Sequence, residues 1–335
     1  MKKIKAGIFG LGHLGKTHLK LVKELCNERS DIELIGIFDT DESKNKNISD
    51  ELGLKINKKA EELTDKINTA IIVTPTSTHY ELATMMISKS INTFIEKPVT
   101  ETTTQAEELL KSAVDKKIKI QIGHIERFNP AILALDSIDL KPMFIETHRL
   151  AQFNPRGTDV SVIQDLMIHD IDIILNLVKS KVSKIDASGV PVITDKIDIA
   201  NARIKFDNGC VANITASRIS QNKMRKMRMF QKSAYISVDF LQNSSEVFRL
   251  SDGETLNLNG SNAFALAEFM QGEKKLKILY EKPEVKEVNS MKYELNKFFN
   301  AITDDTEPVV TLGDGLQALE VANEIINEIE SSKKI

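Results

Sequence analysis

Tryptophan is absent from this chain, cysteine occurs only twice, and neither sign of charge dominates. Cys26 and Cys210 lie far apart and have no partner at the spacing of a metal site, which excludes a disulfide framework and a cysteine-based zinc site. The 45 basic and 48 acidic residues give a net charge of −3, which argues against a nucleic-acid partner. No apolar run is long enough to span a membrane. We therefore expect a cytoplasmic protein that binds neither nucleic acid nor membranes.

The first part of the chain alternates short apolar runs with longer helical patterns, which is typical of parallel strands joined by crossover helices. Helices are predicted at residues 13–26, 42–52, 77–90 and 104–116, the last with a capping box of Thr104 and Glu107. The predicted strands are Ile4–Phe9, Ile32–Phe38, residues 54–56, Ala70–Val73, Asn92–Ile95 and Ile118–Ile122. This pattern predicts an α/β domain at residues 1–122, built on a doubly wound parallel sheet.

The pattern changes after residue 122, where a long apolar helix at 159–179 precedes several segments of alternating hydrophobicity. Asp207-Asn208-Gly209 separates two of these segments and predicts a hairpin turn. Residues 123–311 therefore predict an α+β domain with a mostly antiparallel open sheet. A helix in residues 312–335 closes the chain.

Gly10, Gly12 and Gly15 form a G-x-G-x-x-G motif between the first predicted strand and the first predicted helix. The first glycine permits a tight turn, the second lets the backbone approach a pyrophosphate, and the third lets the helix pack closely. Asp39 follows Gly15 by 24 residues, where a carboxylate would bind the adenosine ribose hydroxyls and repel a 2′-phosphate. We therefore predict NAD as the cofactor, although Lys44 could reach such a phosphate. The alternative is a flavodoxin-like turn that binds no nucleotide.

Two further polar loops follow predicted strands, at the sheet edge where ligands of open α/β sheets bind. Residues 74–79 read Thr-Pro-Thr-Ser-Thr-His, and residues 96–98 read Glu-Lys-Pro. The alternatives are an ordinary helix cap for the first loop and a solvated turn for the second. The predicted cofactor-binding residues are Gly10, Leu11, Gly12, His13, Leu14, Gly15, Asp39, Thr74, Pro75, Thr76, His79, Glu96 and Lys97.

The long apolar helix carries a polar stripe of Asp165, His169, Asp172 and Asn176, which helical periodicity places on one face. A carboxylate and an imidazole at i and i+4 can form a general base, because the carboxylate fixes the tautomer of the ring. The alternatives are a polar seam or a capping network. No third ligand stands at metal-site spacing, so we predict no bound metal.

Taken together, the glycine motif, the Glu96-Lys97-Pro98 turn and Asp165-x-x-x-His169 resemble the Gfo/Idh/MocA family. The resemblance implies an NAD(P)-dependent dehydrogenase with a Rossmann domain and a sheet-based second domain. It also implies a homodimer or homotetramer packed through the second-domain sheet. Lys97, Asp165 and His169 match the catalytic set of the family.

Residues 123–130 and residues 225–237 further resemble the nucleotide-sugar branch of this family, which oxidises the 3-hydroxyl of UDP-N-acetylglucosamine. Met167 departs from the family pattern, in which many members have glycine at that place. The alternative functions are an inositol- or aldose-type sugar dehydrogenase and a non-catalytic NAD-binding regulator. The predicted substrate-binding residues are Lys97, His124, Arg127, Asn129, Arg156, Asp165 and His169.

The segment from Arg218 to Lys232 contains six cations and no acid, although the chain as a whole is slightly acidic. A diphosphate substrate would bind such a segment. The alternative is a charged strand edge that discourages aggregation.

Overall fold

The structure, a computed structural model, describes residues 3–41, 57, 59–155, 160–252 and 263–332. The chain divides into two compact units. The first comprises Met1–Ile125 and Asn289–Leu319, and the second comprises Glu126–Val288 and Glu320–Ile335. The predicted helix at 42–52 and the predicted strand at 54–56 lie outside the described residues.

A five-stranded sheet forms the centre of the first unit, and every neighbouring pair of its strands is parallel. Its strands lie in the order β2-β1-β3-β4-β5, so the strand order reverses between β1 and β3 and leaves a crevice at their carboxyl ends. The doubly wound parallel sheet predicted from the sequence is thereby confirmed. The strands are β1 (Ile4–Phe9), β2 (Ile32–Phe38), β3 (Thr69–Ile72), β4 (Asn92–Glu96) and β5 (Ile120–Gly123).

Within the described residues, four helices of the first unit connect these strands: α1 (His13–Glu28), α2 (Ala60–Thr64), α3 (His79–Ser88) and α4 (Thr103–Ala113). The capping box predicted for α4 is wrong in position, because Thr102 and Gln105 form it instead of Thr104 and Glu107. A threonine precedes a Glu or Gln by three residues at both places, so the sequence pattern fits either pair.

A nine-stranded sheet dominates the second unit, in the order β13-β14-β12-β11-β10-β6-β9-β8-β7. Its neighbours are antiparallel except β6 and β9, which confirms the mostly antiparallel sheet. Its elements are α5 (Pro130–Leu133), β6 (Phe144–Leu150), α6 (Ile168–Val178), β7 (Val182–Val190), β8 (Ile199–Phe206), β9 (Val211–Ser217), β10 (Met224–Gln231), β11 (Ala234–Asp239), β12 (Ser244–Ser251), β13 (Phe264–Gln271) and β14 (Lys274–Glu281).

The hairpin predicted at Asp207-Asn208-Gly209 joins β8 and β9, which pair antiparallel. Gly209 has a φ of +85°, a conformation that glycine adopts without the strain of a side chain. The N–H of Phe206 donates to the carbonyl of Cys210 across the turn at 2.9 Å. The local turn chemistry thus sets the register of this strand pair.

Helix α7 (Ser290–Thr303) belongs to the first unit because its apolar face shares that unit's core. Leu295, Phe298 and Phe299 of α7 are buried with the inner face of α1 and with β1. The compact units therefore divide the chain at other positions than the limits 122 and 311 drawn from the sequence. Helix α8 (Leu312–Ser332) begins in the first unit and ends in the second.

Candidate active site

The glycine motif forms the turn between β1 and α1, and each of its three glycines has a different environment. Gly10 has a φ of +98°, and a Cβ there would lie 2.5 Å from the carbonyl oxygen of Val73. A Cβ at Gly15 would lie 2.1 Å from the carbonyl oxygen of Gly10. A Cβ at Gly12 would meet no atom within 4 Å. Two of the glycines therefore permit close packing of the turn, and the third leaves space for a ligand.

A cavity of about 730 Å³ opens at the carboxyl ends of β1, β2 and β3, which is the crevice expected for a nucleotide. No side chain caps α1 and its first turn has no acid, so its N-terminal N–H groups suit an anion. The cavity is lined by the predicted residues Gly10, Gly12, His13, Leu14, Asp39, Thr74 and Pro75. It is also lined by residues outside the predicted cofactor-binding set, namely Phe38, Thr40, Lys59, Ala60, Glu61, Val73, Thr78, Glu81, Leu82 and Met85.

Asp39, which follows β2, forms a hydrogen bond with the backbone of the glycine motif. Its Oδ2 accepts a hydrogen bond from the N–H of Leu11 at 2.6 Å, and its Oδ1 accepts one from the N–H of Asp41 at 2.8 Å. Because a carboxylate has about four lone-pair sites, both oxygens can also accept bonds from a ribose. The side chain of Leu11 is buried, and Lys44 lies outside the described residues.

His79 joins the two polar loops and does not line the cavity. Its Nδ1 lies 2.9 Å from the carbonyl oxygen of Pro98, and its Nε2 lies 2.9 Å from that of Thr74. Burial lowers the pKa of His79, although the two carbonyl oxygens act in the opposite direction. Thr76 lies in the short 3₁₀ turn before α3, also outside the cavity lining. The structure therefore gives His79 a role in holding the loops together.

Glu96 is the last residue of β4 and Lys97 follows it, and the Lys97–Pro98 peptide bond is cis. Glu96 is buried, and its Oε1 lies 2.7 Å from Nε2 of His18 in α1. Its Oε2 accepts a hydrogen bond from the N–H of Lys97 at 3.2 Å. Lys97 itself is half-buried. No sequence motif includes His18, because its contact with Glu96 spans 78 residues.

In the second unit, Asp165 lies in a π-type turn (Ile163–Met167) and His169 lies in the first turn of α6. Turns of this kind occur inside helices and are frequent at functional sites. Asp172 and Asn176 point to a different environment, because Arg127 donates to both oxygens of Asp172 at 2.6 and 2.8 Å and to Asn176 at 3.4 Å. The predicted polar stripe is thus divided between two environments.

A second cavity, of about 610 Å³, lies wholly within the second unit. Asp165 lines it together with three cations of the basic segment, Arg218, Lys223 and Arg225. Arg218 is buried, and its guanidinium donates to the carbonyl of Val160 at 2.7 Å. Lys223 and Arg225 are exposed. The wall of this cavity therefore carries three cations beside one carboxylate. Two of the cations also pair with acids outside the lining, Arg218 with Asp198 at 3.7 Å and Arg225 with Glu126 at 3.4 Å.

The remaining predicted substrate residues are mostly buried. His124 is 1% exposed, and Arg127 holds Asp172 as described. Asn129 caps α5 by accepting the N–H of Ala131 at 3.0 Å. Met167 is fully buried, whereas its neighbours Asp165 and Leu166 line the second cavity. Arg156 lies outside the described residues.

The first unit is therefore a dinucleotide-binding domain of the kind that NAD-dependent oxidoreductases use. Its residues fit NAD, because the space at Gly12 is open and the Asp39 carboxylate stands at the end of β2.

Among the described residues, no helix combines the length and apolar character needed to cross a membrane. No three or more His, Cys, Asp or Glu side chains in this part of the chain are arranged to hold a metal ion.

Two parts of the chain match domain models of one known protein family. Residues 4–124 match the NAD-binding Rossmann domain of the GFO/IDH/MocA oxidoreductase family, and residues 145–236 match a C-terminal domain of that family. The chain belongs to the Gfo/Idh/MocA family of oxidoreductases. This membership establishes an oxidoreductase that binds NAD, as the sequence predicted.

Among curated relatives, UDP-N-acetylglucosamine 3-dehydrogenase of Acidithiobacillus ferrooxidans is 35% identical over 78% of this chain and 82% of its own length. Its solved structure superposes with a TM-score of 0.85 at 30% identity, covering 99% of both chains. The scyllo-inositol 2-dehydrogenase of Bacillus subtilis is 26% identical over 65% of this chain and 68% of its own length. The scyllo-inositol dehydrogenase of Lactobacillus casei, with a TM-score of 0.76 at 18% identity over 99% and 97% of the two chains, shares the fold.

Proposed function

We propose that this protein oxidises the 3-hydroxyl of a UDP-N-acetylhexosamine, with UDP-N-acetylglucosamine as the substrate, and reduces NAD. The observation that carries the proposal is the second cavity, where Asp165 shares a wall with Arg218, Lys223 and Arg225. A free polyol carries no charge and forms no ion pair with these cations, whereas a diphosphate carries two negative charges. The similarity to the Acidithiobacillus enzyme supports the same choice.

The reaction converts a secondary alcohol and NAD⁺ into a ketone, NADH and a proton. When bound, NAD accepts the hydride from the substrate carbon. We assign His169 as the base that takes the hydroxyl proton and later releases it to water. Asp165 holds the imidazole in the tautomer that accepts this proton, and the Lys97 ammonium donates a hydrogen bond to the substrate oxygen. His124, Arg127, Asn129 and Arg156 remain predicted substrate-binding residues.

The substrate proposal is tested by measuring NADH formation with UDP-N-acetylglucosamine and with myo-inositol. We expect turnover of the nucleotide sugar, and His169→Ala and Lys97→Ala should each lower kcat by about 10²–10⁴ with little change in NAD affinity. Near-normal turnover in both variants would contradict the catalytic assignment. Turnover of myo-inositol alone would favour the polyol alternative, and tight NAD binding without any turnover would favour a regulator.

The basic wall is tested by a matched pair of lysines from the same segment. Lys223 lines the second cavity and forms no ion pair among the described residues, whereas Lys226 is outside the lining and pairs with Asp239 at 3.3 Å. We expect Lys223→Ala to raise the KM for UDP-N-acetylglucosamine and the inhibition constant of UDP about tenfold, the loss of one charge-assisted contact. Lys226→Ala should change neither. Equal effects in the two variants would remove the support that the cavity gives to a diphosphate substrate.

We also propose that the protein is a cytoplasmic homodimer or homotetramer that packs through the second-unit sheet. Six aromatic rings form a row across six strands of this sheet, with neighbouring centroids 5.0–5.9 Å apart, and none of the six residues is buried. A row of this size is apolar surface that a second copy can cover. The rings belong to Phe144, Phe230, Tyr235, Phe248, Tyr280 and Phe264.

The assembly is tested by light scattering of the purified protein. We expect Phe230→Asp to shift the mass toward the monomer, because a charge in an apolar interface loses its hydration. Val114→Asp, at a position 74% exposed in the other unit, is the control and should leave the mass unchanged. An unchanged mass in Phe230→Asp would place the interface elsewhere.

A further inference from the structure

The turn that carries Lys97 is bonded on both sides by buried histidines. We propose that His18 and His79 are positioning residues, which hold the Glu96-Lys97-Pro98 turn and so place the Lys97 ammonium for the reaction. This inference rests on the catalytic role given to Lys97 in the proposed function. Neither histidine lines either cavity, so each acts through the turn and not by touching a ligand.

On one side of the turn, His18 fixes the carboxylate of Glu96. The two side chains are 2.7 Å apart between Nε2 and Oε1, and both residues are buried. The other carboxylate oxygen accepts the N–H of Lys97 at 3.2 Å. A buried carboxylate keeps its position only where donors satisfy its oxygens. Through Glu96, the imidazole of His18 therefore restricts the position of the Lys97 backbone.

The tautomer of His18 follows from its second nitrogen. Nδ1 is buried and has no hydrogen-bond partner among the described residues. A proton on Nδ1 would be a buried donor without an acceptor, so the proton lies on Nε2 and is donated to Glu96. The ring of Phe94 packs against the imidazole with centroids 5.4 Å apart, which fixes the ring orientation.

Gly123 in the neighbouring strand β5 confines the same carboxylate. A Cβ at Gly123 would lie 2.9 Å from Oε2 and 3.0 Å from Cδ of Glu96. The carboxylate thus lies directly against the β5 backbone, and His18 closes it from the α1 side. Glu96 has one available position, which the histidine and the glycine define together.

On the other side of the turn, His79 contacts the residue that follows Lys97. Its Nδ1 and Nε2 lie 2.9 Å from the carbonyl oxygens of Pro98 and Thr74. Thr74 lines the NAD cavity, so His79 couples the Lys97 turn to the loop that borders the cofactor. A neutral imidazole donates to one of these carbonyl oxygens and packs against the other. His18 and His79 therefore contact the backbone or side chains on the two sides of Lys97.

The decisive experiment is a double-mutant cycle between His18 and Lys97, measured as kcat for UDP-N-acetylglucosamine. We expect His18→Leu to lower kcat by about tenfold to a hundredfold with NAD affinity unchanged, since a small displacement of a catalytic group has an effect of this size. His18→Gln, which keeps an N–H near Nε2, should restore most of the rate. In a Lys97→Ala background, His18→Leu should have no further effect, because its action passes through the lysine.

A purely structural role gives a different pattern. If His18→Leu lowers kcat by the same factor with and without Lys97, or leaves kcat unchanged, the proposal is overturned. Leu25→Ala, a core substitution on the same helix, is the control that lowers stability while leaving kcat intact.

A readout without turnover separates this inference from the proposed function. The rate of reductive methylation of Lys97, followed by mass spectrometry of its peptide, should rise severalfold in His18→Leu and in His79→Leu. The rate at Lys223 should stay constant as the internal reference. An unchanged Lys97 rate in both variants overturns the positioning role. A raised rate in a protein that does not turn over UDP-N-acetylglucosamine supports the positioning while contradicting the proposed substrate.

Discussion

The two units treat their buried polar side chains in different ways. In the first unit, His79 contacts backbone carbonyls and Glu96 accepts a backbone N–H, so that buried groups shape loops beside an open cavity. In the second unit, buried charges pair with one another: Arg149 with Asp170 and Glu126, and Arg127 with Asp172.

Both aspartates of these ion pairs lie on α6, the helix that carries His169. Asp170 and Asp172 follow His169 on α6, and their partners Arg149 and Arg127 come from β6 and from the turn after β5. The ion pairs therefore anchor the helix that carries the proposed base. The two units thus use different devices, contacts of buried groups with the loop backbone in the first and a helix fixed by buried charges in the second.

The largest effect is expected from breaking the charge cluster with Arg149→Met. Arg149 is 2% exposed, and its guanidinium donates to Asp170 at 2.7 and 3.0 Å and to Glu126 at 2.7 Å. Burial opposes its charge, yet the two carboxylates outweigh this and hold the pKa of Arg149 above its usual value. Methionine fills the space but leaves the buried Asp170 without its ion-pair partner and Glu126 with only Arg225, at 3.4 Å, as a cation. We expect a loss of about 3–5 kcal/mol in urea denaturation.

Arg228→Met provides the control on a neighbouring strand. Arg228 bonds Glu146 at 2.7 Å, but 44% of its side chain is exposed, so the loss should be below about 1 kcal/mol. Similar losses in the two variants would show that burial does not distinguish the cluster from an ordinary surface pair.

Asp198 is an exception in the second unit, because this buried carboxylate is bonded mainly by backbone N–H groups. Its Oδ2 accepts the N–H groups of Val192, Ile193 and Thr194 at 2.7–2.9 Å. Burial raises the pKa of Asp198, and these N–H groups outweigh it, so that the net pKa lies well below the usual range. The group therefore contributes stability that is present above about pH 4 and is lost as the pH falls through the folded-state pKa.

We expect Asp198→Asn to lower the free energy of unfolding by about 1–3 kcal/mol at pH 7, since one charged acceptor of several bonds becomes neutral. The difference from the wild type should shrink as the pH falls below about 4, because the carboxylate of the unfolded wild type is then protonated while that of the folded protein still carries its charge. Asp186→Asn is the control, since 45% of the Asp186 side chain is exposed. A difference that stays constant with pH would assign the effect to packing.

The features that the sequence predicted correctly are those with local causes. The strands Ile4–Phe9 and Ile32–Phe38 have the predicted bounds, and the glycine motif and Asp39 line the predicted crevice, because strand, turn and helix signals lie within a few residues of each other. The sheet classes followed from the same short-range patterns.

The features that the sequence missed depend on distant partners. Asp172 was placed with Asp165 by helical periodicity, but a π-type turn intervenes and its partner Arg127 is 45 residues away. The sequence pattern does not indicate a role for Asp170, because its partner Arg149 lies 21 residues away on another element. Likewise, no motif shows which face of α3 turns Glu81 and Met85 toward the cavity. Such contacts are set by packing, which periodicity alone does not determine.

The smallest expected effect is that of Gly12→Ala. This change tests whether a glycine of the motif leaves space for a ligand, as distinct from permitting close packing. Gly12 has a φ of −64° and an open space at its Cβ position, so Gly12→Ala should fold with unchanged or slightly higher stability. The added methyl group would occupy the space open to the NAD pyrophosphate, and we expect NAD affinity to fall about tenfold, or about 1.4 kcal/mol, by calorimetry. Gly313→Ala makes the same change in α8, where the nearest atom is 3.6 Å away, and should leave NAD affinity unaltered. If Gly12→Ala binds NAD as tightly as the wild type, the open space at Gly12 is not where the cofactor meets the loop, and only the packing role of the other two glycines stands.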